Sequence, residues 1–383
     1  MDGIKSFLNM RFEKGLLRAL HPASARKNGK ITINGQEYLD FSSNDYLGLS
    51  GHPKIIAAAK SALDEFGASS SASRLLSGSL QLHSLLEQKV ARFKNKEAAL
   101  VFNSGYQANV GIISAILGES DAVFSDRLVH ASIIDGIDLS HANLFRFRHN
   151  DTGHLKELLD KKRSSFKKAL IVTESIFSMD GDKAPLKKLV ELKDKYNCLL
   201  FVDEAHATGI FGKNGSGLVE EEGLSDKTDL IMGTFSKALG SFGAYLAASG
   251  EVVEYLINTC RSFIYSTSLP PAVIAANIAS LKVVEEEPRR RIELLNCARA
   301  FRLQLQGKGF EVKGESQIVP VVIGEAGKAV ELSQRLKDSG FWVMPVRPPT
   351  VPEGSSRLRF SLSYSHSAES LNKLIDDLVK NRV

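Results

Sequence analysis

From about residue 97 to residue 250 the chain repeats one pattern: a short apolar run, a few small or polar residues, then an amphipathic stretch. The runs are AALVF (98–102), AVFS (122–125), NLFRF (143–147), ALIVTES (169–175), CLLFVDE (198–204) and DLIMGTF (229–235). Uninterrupted apolar runs of this length read as strands buried on both faces. The segments between them, such as Gly105–Leu117, Thr152–Arg163 and Pro185–Tyr196, read as helices. Strand-helix alternation predicts an α/β fold with a mostly parallel central sheet covered by helices. Ligands of such sheets bind beyond the carboxyl ends of the strands, so chemistry is expected in the residues that follow each run.

The flanks read differently. Residues 1–50 carry a short helical stretch and ITINGQEYLDF, whose Asn34-Gly35 signals a hairpin. After Pro270-Pro271 come long helices (272–309), then QIVPVVIG (317–324), a helix near 326–339 and RLRFSLS (357–363). The expected division is an N-terminal helix and hairpin segment (1–50), a large α/β domain (51–285) and a small C-terminal α+β domain (286–383).

With 383 residues, 43% of them hydrophobic, the chain can bury a core without cross-links. Cys198, Cys260 and Cys297 are odd in number and lack metal-ligand spacing, which speaks against a disulfide framework or a zinc finger. The opening MDGIKSFLNMRFEKG has no secretory core, and polar residues interrupt the uncharged stretch 98–118. A cytoplasmic protein with no membrane span is expected. The net charge of +5 is small, and the basic clusters at 161–163 and 289–291 sit among acids, so no nucleic-acid partner is expected.

Three strand ends carry reactive groups. In TFSKALG (234–240), Lys237 follows a buried run between hydroxyls and small residues. Burial lowers an amine's pKa and makes it a nucleophile, although a lysine in an exposed turn would look the same. In VDEAHATGIFG (202–212), Asp203 and His206 follow another run. They suit an acid paired with a heteroaromatic nitrogen; a metal site is the competing reading, without a third ligand at helical spacing. NSGYQAN (103–109) places small residues at a strand-to-helix turn, where backbone N–H groups can hold a phosphate, a signal many α/β turns share. No GxxxxGK[ST] is present, and no GxGxxG follows a strand.

Together with NDYLGLS (44–50), SGSLQLHSLLE (77–87), DRLVHASIIDG (126–136), ESIFSMDGDKAPL (174–186) and YSTSLPP (265–271), these segments resemble, in order and along nearly the whole chain, the α-oxoamine synthases. These are fold-type I PLP-transferases, which use pyridoxal 5′-phosphate (PLP). The resemblance implies that the 51–285 domain binds PLP. It makes Lys237 the covalent anchor and acid/base, Asp203 the ring-nitrogen partner, His206 the neighbour of the ring hydroxyl and His130 the imidazole stacked on the ring. Gly105, Tyr106, Thr234 and Ser236 match the phosphate cradle, Ser178 a further cofactor contact, and Thr267 a residue reaching the neighbouring subunit's phosphate. A homodimer with shared active sites is therefore implied. Asn44 and Arg359 match the carboxylate binders of the amino-acid substrate, and Arg18 and Thr350 other substrate contacts.

Within the family, RPPTVPEGSSRLRFSLS (347–363) and the short N-terminus favour condensation of L-alanine with a pimeloyl thioester, carried on coenzyme A or acyl carrier protein, in biotin biosynthesis. Glycine-using and serine-using sister activities share the cofactor motifs and stay open, as does a catalytically silent relative. Ala72 departs from the family by standing where a glycine is common, which bears on the fit of the acyl chain.

Overall fold

The structure, a computed structural model, describes residues 2–382. Met1 and Val383, at the outer edges of two expected segments, lie outside the described residues. The described residues form two compact units, one of residues 2–48, 178–182 and 292–382 and a larger one of 49–177 and 183–291.

In the smaller unit, helix α1 (Asp2–Glu13) precedes strands β1 (Ala23–Lys27), β2 (Lys30–Ile33) and β3 (Gln36–Asp40). Asn34 (φ 52°) and Gly35 (φ 80°) both occupy the left-handed region, as a type I′ turn demands, so the hairpin forms where the sequence places it. The free edge of β3 then pairs in parallel with Phe341–Trp342. This pairing joins the amino-terminal segment to the carboxyl-terminal residues, where separate segments were expected: an unpaired strand edge is satisfied by whichever backbone reaches it. Residues 178–182 also belong here. The Asp180 carboxylate accepts from Arg357 (2.6 Å), and Gly181 at φ 67° lies against the carbonyl of Ile318.

A second sheet in this unit runs Ile318–Gly324, Ser356–Ser361, Pro345–Val346, with antiparallel neighbours. Helix Ala368–Lys380 starts on Ser367, whose hydroxyl accepts from the N–H of Ser370. It buries Leu371, Leu374, Ile375 and Leu378, spaced for one helical face. Phe41, Phe341 and Phe360 pack beneath, with centroids 6.1 Å apart in two pairs, Phe41–Phe341 and Phe41–Phe360. His366 is buried and lies against Phe41 at 4.1 Å. Burial pushes its pKa down to about 4, so it packs as a neutral ring.

The larger unit is built on a seven-stranded sheet. After helices α2 (Pro53–Phe66) and α3 (Gln81–Lys94) come β4 (Ala98–Phe102), α4 (Gly105–Ile116), β5 (Ala122–Asp126), α5 (Ala131–Ser140) and β6 (Asn143–Phe147). Strands β7 (Ala169–Glu174), β8 (Leu199–Asp203), β9 (Leu230–Thr234) and β10 (Ala244–Ala248) complete it, in the order β4-β10-β9-β8-β7-β5-β6. All six anticipated strands are present. The seventh, β10, is an addition: it runs antiparallel between β4 and β9 and consists of AYLAA, every residue buried. Three of its five residues are alanines, which carry little strand propensity, so its two neighbours do much to make it a strand. No described helix is long and apolar enough to cross a membrane.

Candidate active site

The carboxyl end of β8 holds Asp203, 4% exposed. Its Oδ1 accepts from the N–H of Ala205 (2.8 Å) and its Oδ2 from the amide of Asn109 on α4 (3.0 Å). The chain is pinned on both sides of it, since Ser175 N–H donates to the Asp203 carbonyl (2.9 Å) and Glu204 N–H to that of Met232 (2.7 Å). One turn on, the Nε2 of His206 lies 2.9 Å from the Nζ of Lys237. Lys237 stands in the turn after β9, closed by Gly240 at φ 63°. A Cβ there would collide with the backbone nitrogen of Ser50, so glycine is required for the turn to close.

Two hydroxyls precede the lysine. Thr234 donates to the carbonyl of Gly243 (2.8 Å) and accepts from Ser236 N–H (3.1 Å), and its Oγ1 lies 2.6 Å from that of Ser236. Thr234 is buried and Ser236 exposed. Thr234 thus orients the turn and Ser236 presents a hydroxyl outward. At the start of α4, the hydroxyl of Ser104 accepts from Gln107 N–H (3.2 Å), and the carbonyl of Ser104 takes the N–H of Ala108 (3.0 Å). The N–H groups of Gly105 and Tyr106 are the other two donors that a first helical turn cannot satisfy internally, and they suit an anion.

His130 caps α5. Burial lowers its pKa, with Asp203 opposing and Lys237 reinforcing the shift, so the ring is neutral near pH 7. The Tyr106 ring stands edge-on to it at 6.4 Å, and the Tyr106 hydroxyl donates to Asp135. Thr267 is exposed and bonds to none of these residues; its carbonyl accepts from Asn103 (2.8 Å).

The remaining candidates belong to the smaller unit. The Arg359 guanidinium donates to the carbonyl of Ser178 (2.5 Å), to Ser361 Oγ (2.6 Å), to Tyr46 Oη (3.1 Å) and, at 3.4 Å, to Asn44 Oδ1. Among the described residues every one of these partners is neutral, so this half-buried cation lacks a counter-charge that a carboxylate ligand would supply. Tyr46, two residues beyond Asn44 in NDYLGLS and given no role by the sequence, also donates to Asn44 Oδ1 (3.0 Å). Arg18 and Thr350, 332 positions apart, meet through a 3.2 Å hydrogen bond.

The larger unit thus sets an amine, a buried acid, a neutral imidazole, an outward hydroxyl and a helix amino terminus in the segments that follow strands β9, β8, β5 and β4 of one sheet. That donor set matches the aldehyde, ring nitrogen and phosphate of PLP. The class I and II aminotransferase model matches residues 36–378. 8-Amino-7-oxononanoate synthase of Geobacter sulfurreducens is 50% identical over 366 residues, covering 95% of this chain and 93% of that one. The chain belongs to the class I and II aminotransferase family, in its α-oxoamine synthase branch.

The synthase of Anaeromyxobacter dehalogenans is 45% identical, with 97% and 93% covered. Among solved structures, serine palmitoyltransferase of Sphingomonas wittichii superposes with TM-score 0.92 at 33% identity, over 99% of this chain and 96% of the other. A serine palmitoyltransferase with PLP bound gives the same score and identity. 8-Amino-7-oxononanoate synthase of Francisella tularensis gives 0.78 at 31% identity, over 90% and 97%. These neighbours are fold-type I enzymes, which is the fold class expected from the sequence.

Sequence reasoning gives no role to Asn109, Ser132, Lys94 or Glu204. Asn109 has a usable signal, since it lies four residues beyond Gly105 and therefore above it on the same face of α4.

Proposed function

We propose that the chain condenses L-alanine with a pimeloyl thioester to give 8-amino-7-oxononanoate, carbon dioxide and the free thiol carrier, a step of biotin biosynthesis. The 50% identity to a synthase of that name, sustained over 95% of the chain, is the observation that carries this reading. The high fold similarity to serine palmitoyltransferases fits a shared chemistry but comes with lower identity, 33%.

PLP, when bound, supplies an electron sink for the charge that develops on the substrate α-carbon. Lys237 would hold it covalently through Nζ and then move the proton at that carbon, with His206 fixing the amine. Asp203 would face the ring nitrogen and hold a proton on it. Thr267 would contribute to the second subunit of a homodimer, the form proposed for the active protein.

Arg359, aided by Asn44 and Tyr46, would take the carboxylate of alanine. Arg359→Ala is then expected to raise KM for L-alanine roughly 10- to 100-fold, the worth of hydrogen bonds from a charged group, and to leave PLP affinity unchanged by equilibrium dialysis. Arg18 and Thr350 are proposed for the acyl side.

Mass spectrometry of products tests the reading directly. Alanine, glycine and serine would each be offered against pimeloyl, acetyl, succinyl and palmitoyl thioesters. Alanine with pimeloyl thioester should dominate, with glycine disfavoured by about 10- to 200-fold, the discrimination one methyl group provides. A preference for glycine with an acetyl or succinyl thioester would overturn the assignment and transfer the chain to a sister activity. Coenzyme A and acyl carrier protein, compared as carriers, would then be ranked by kcat/KM.

A further inference from the structure

One buried hydrogen-bond chain has no part in the steps above. Asn109 is 1% exposed in the interior of α4, and its amide nitrogen donates to Asp203 Oδ2 (3.0 Å) and to Ser132 Oγ (2.9 Å). The amide cannot be turned over, because an ionised carboxylate only accepts. Ser132 is fully buried. Its Oγ lies 2.7 Å from His130 Nδ1, and its N–H donates to the same nitrogen at 3.2 Å. A ring nitrogen that accepts an N–H carries no hydrogen of its own, so the Ser132 hydroxyl donates to it as well and accepts from Asn109. Every hydrogen in the chain then has one direction. They run from Asn109 to Asp203 on one side, and from Asn109 through Ser132 to His130 on the other.

We propose that Asn109 and Ser132 are positioning residues that hold His130 as the neutral imidazole with its single hydrogen on Nε2, tied to the carboxylate of Asp203. This rests on the reading of Asp203 and His130 as the residues that face PLP. A helix cap accounts for the bond from Ser132 N–H to Nδ1, but not for the hydroxyl contact or for the second hydrogen of Asn109. Packing does not account for Asn109 either. Asparagine is a poor helix former, and its Oδ1 is buried without a partner, which costs stability that leucine would not. The benefit lies at the ring: protonation of Nδ1 would set its hydrogen against Ser132 N–H. The charged groups that bear on His130 are Asp203, which favours the imidazolium, and Lys237, which opposes it.

The test uses full-length, PLP-loaded protein with 15N-labelled histidine, the His130 resonances being identified by their loss in His130→Gln. In the unsubstituted protein Nδ1 should show the unprotonated shift and Nε2 the proton over about pH 6 to 8. Ser132→Ala should let the other tautomer appear and raise the His130 titration midpoint by about 0.5 to 1. Asn109→Leu should do the same although it touches neither ring nitrogen, an effect that a packing role would not produce. A proton on Nδ1 in the unsubstituted protein overturns the proposal, as does an unchanged tautomer and midpoint in both variants. Should the product analysis fail, the catalytic reading falls, while the resonances still decide the hydrogen-bond chain.

Discussion

Lys237→Ala is expected to abolish measurable condensation, a loss of at least roughly 10²- to 10⁴-fold, while the thermal transition of the protein stays close to that of the unsubstituted enzyme. Proton transfer by a placed side chain accounts for that range, and the loss of a covalent anchor adds to it. The fold should survive because Lys237 is only half-buried and lies in a turn. The buried residues around it, Phe235, Ala238 and Leu239, supply the packing there. Visible absorbance gives a second readout: borohydride should fix PLP to the unsubstituted protein and not to the variant. Normal turnover of L-alanine by Lys237→Ala would exclude Lys237 as the reacting amine.

Lys94→Met should cost about 3–5 kcal/mol of stability in urea unfolding, the usual result of leaving one member of a buried ion pair alone. Lys94 is 1% exposed and Glu204 fully buried, with Nζ and Oε2 2.7 Å apart. The ammonium also donates to Thr208 Oγ1 (3.2 Å) and to the carbonyl of Ser216, so all its hydrogens are used. The second oxygen of Glu204 accepts from Val219 N–H (2.9 Å). Burial, the largest single influence, drives Lys94 toward its neutral form, but the charge and hydrogen bond of Glu204 together with Tyr245 outweigh it and the pKa rises. The loss should exceed anything seen at an exposed pair such as Lys156–Asp160, where solvent screens both charges. Because Glu204 lies between Asp203 and His206, PLP affinity should fall with stability. A variant as stable as the unsubstituted protein would mean that the pair contributes nothing net.

The strands of the large sheet are legible because each is a dense apolar run, and burial on both faces leaves such a run no other stable place. The same logic leads to the reactive groups: side chains at strand ends in a parallel sheet share one edge, so TFSKALG and VDEAHATG belong together on sequence alone. The Asn34-Gly35 hairpin is local in the same sense, since two residues with positive φ define its turn. The family resemblance adds roles that no spacing could supply, among them those of His130 and Arg359.

What the sequence does not disclose depends on which residues stand opposite one another. Strand β10, AYLAA, is three-fifths alanine and does not stand out from its sequence, and it is paired as a strand by β4 and β9 on either side. The amino-terminal hairpin gains its fourth strand from residues 341–342, some 300 positions away. Asn109 reads as an ordinary helix residue until α4 sets its amide between Asp203 and Ser132. Lys94 reads as a surface lysine ending a helix until Glu204, 110 positions on, arrives within 2.7 Å. Apolar patterning is written residue by residue because transfer from water is a property of each side chain. A hydrogen bond or ion pair between distant segments exists only after the backbone has brought donor and acceptor within about 3 Å, and that distance is a product of the tertiary fold.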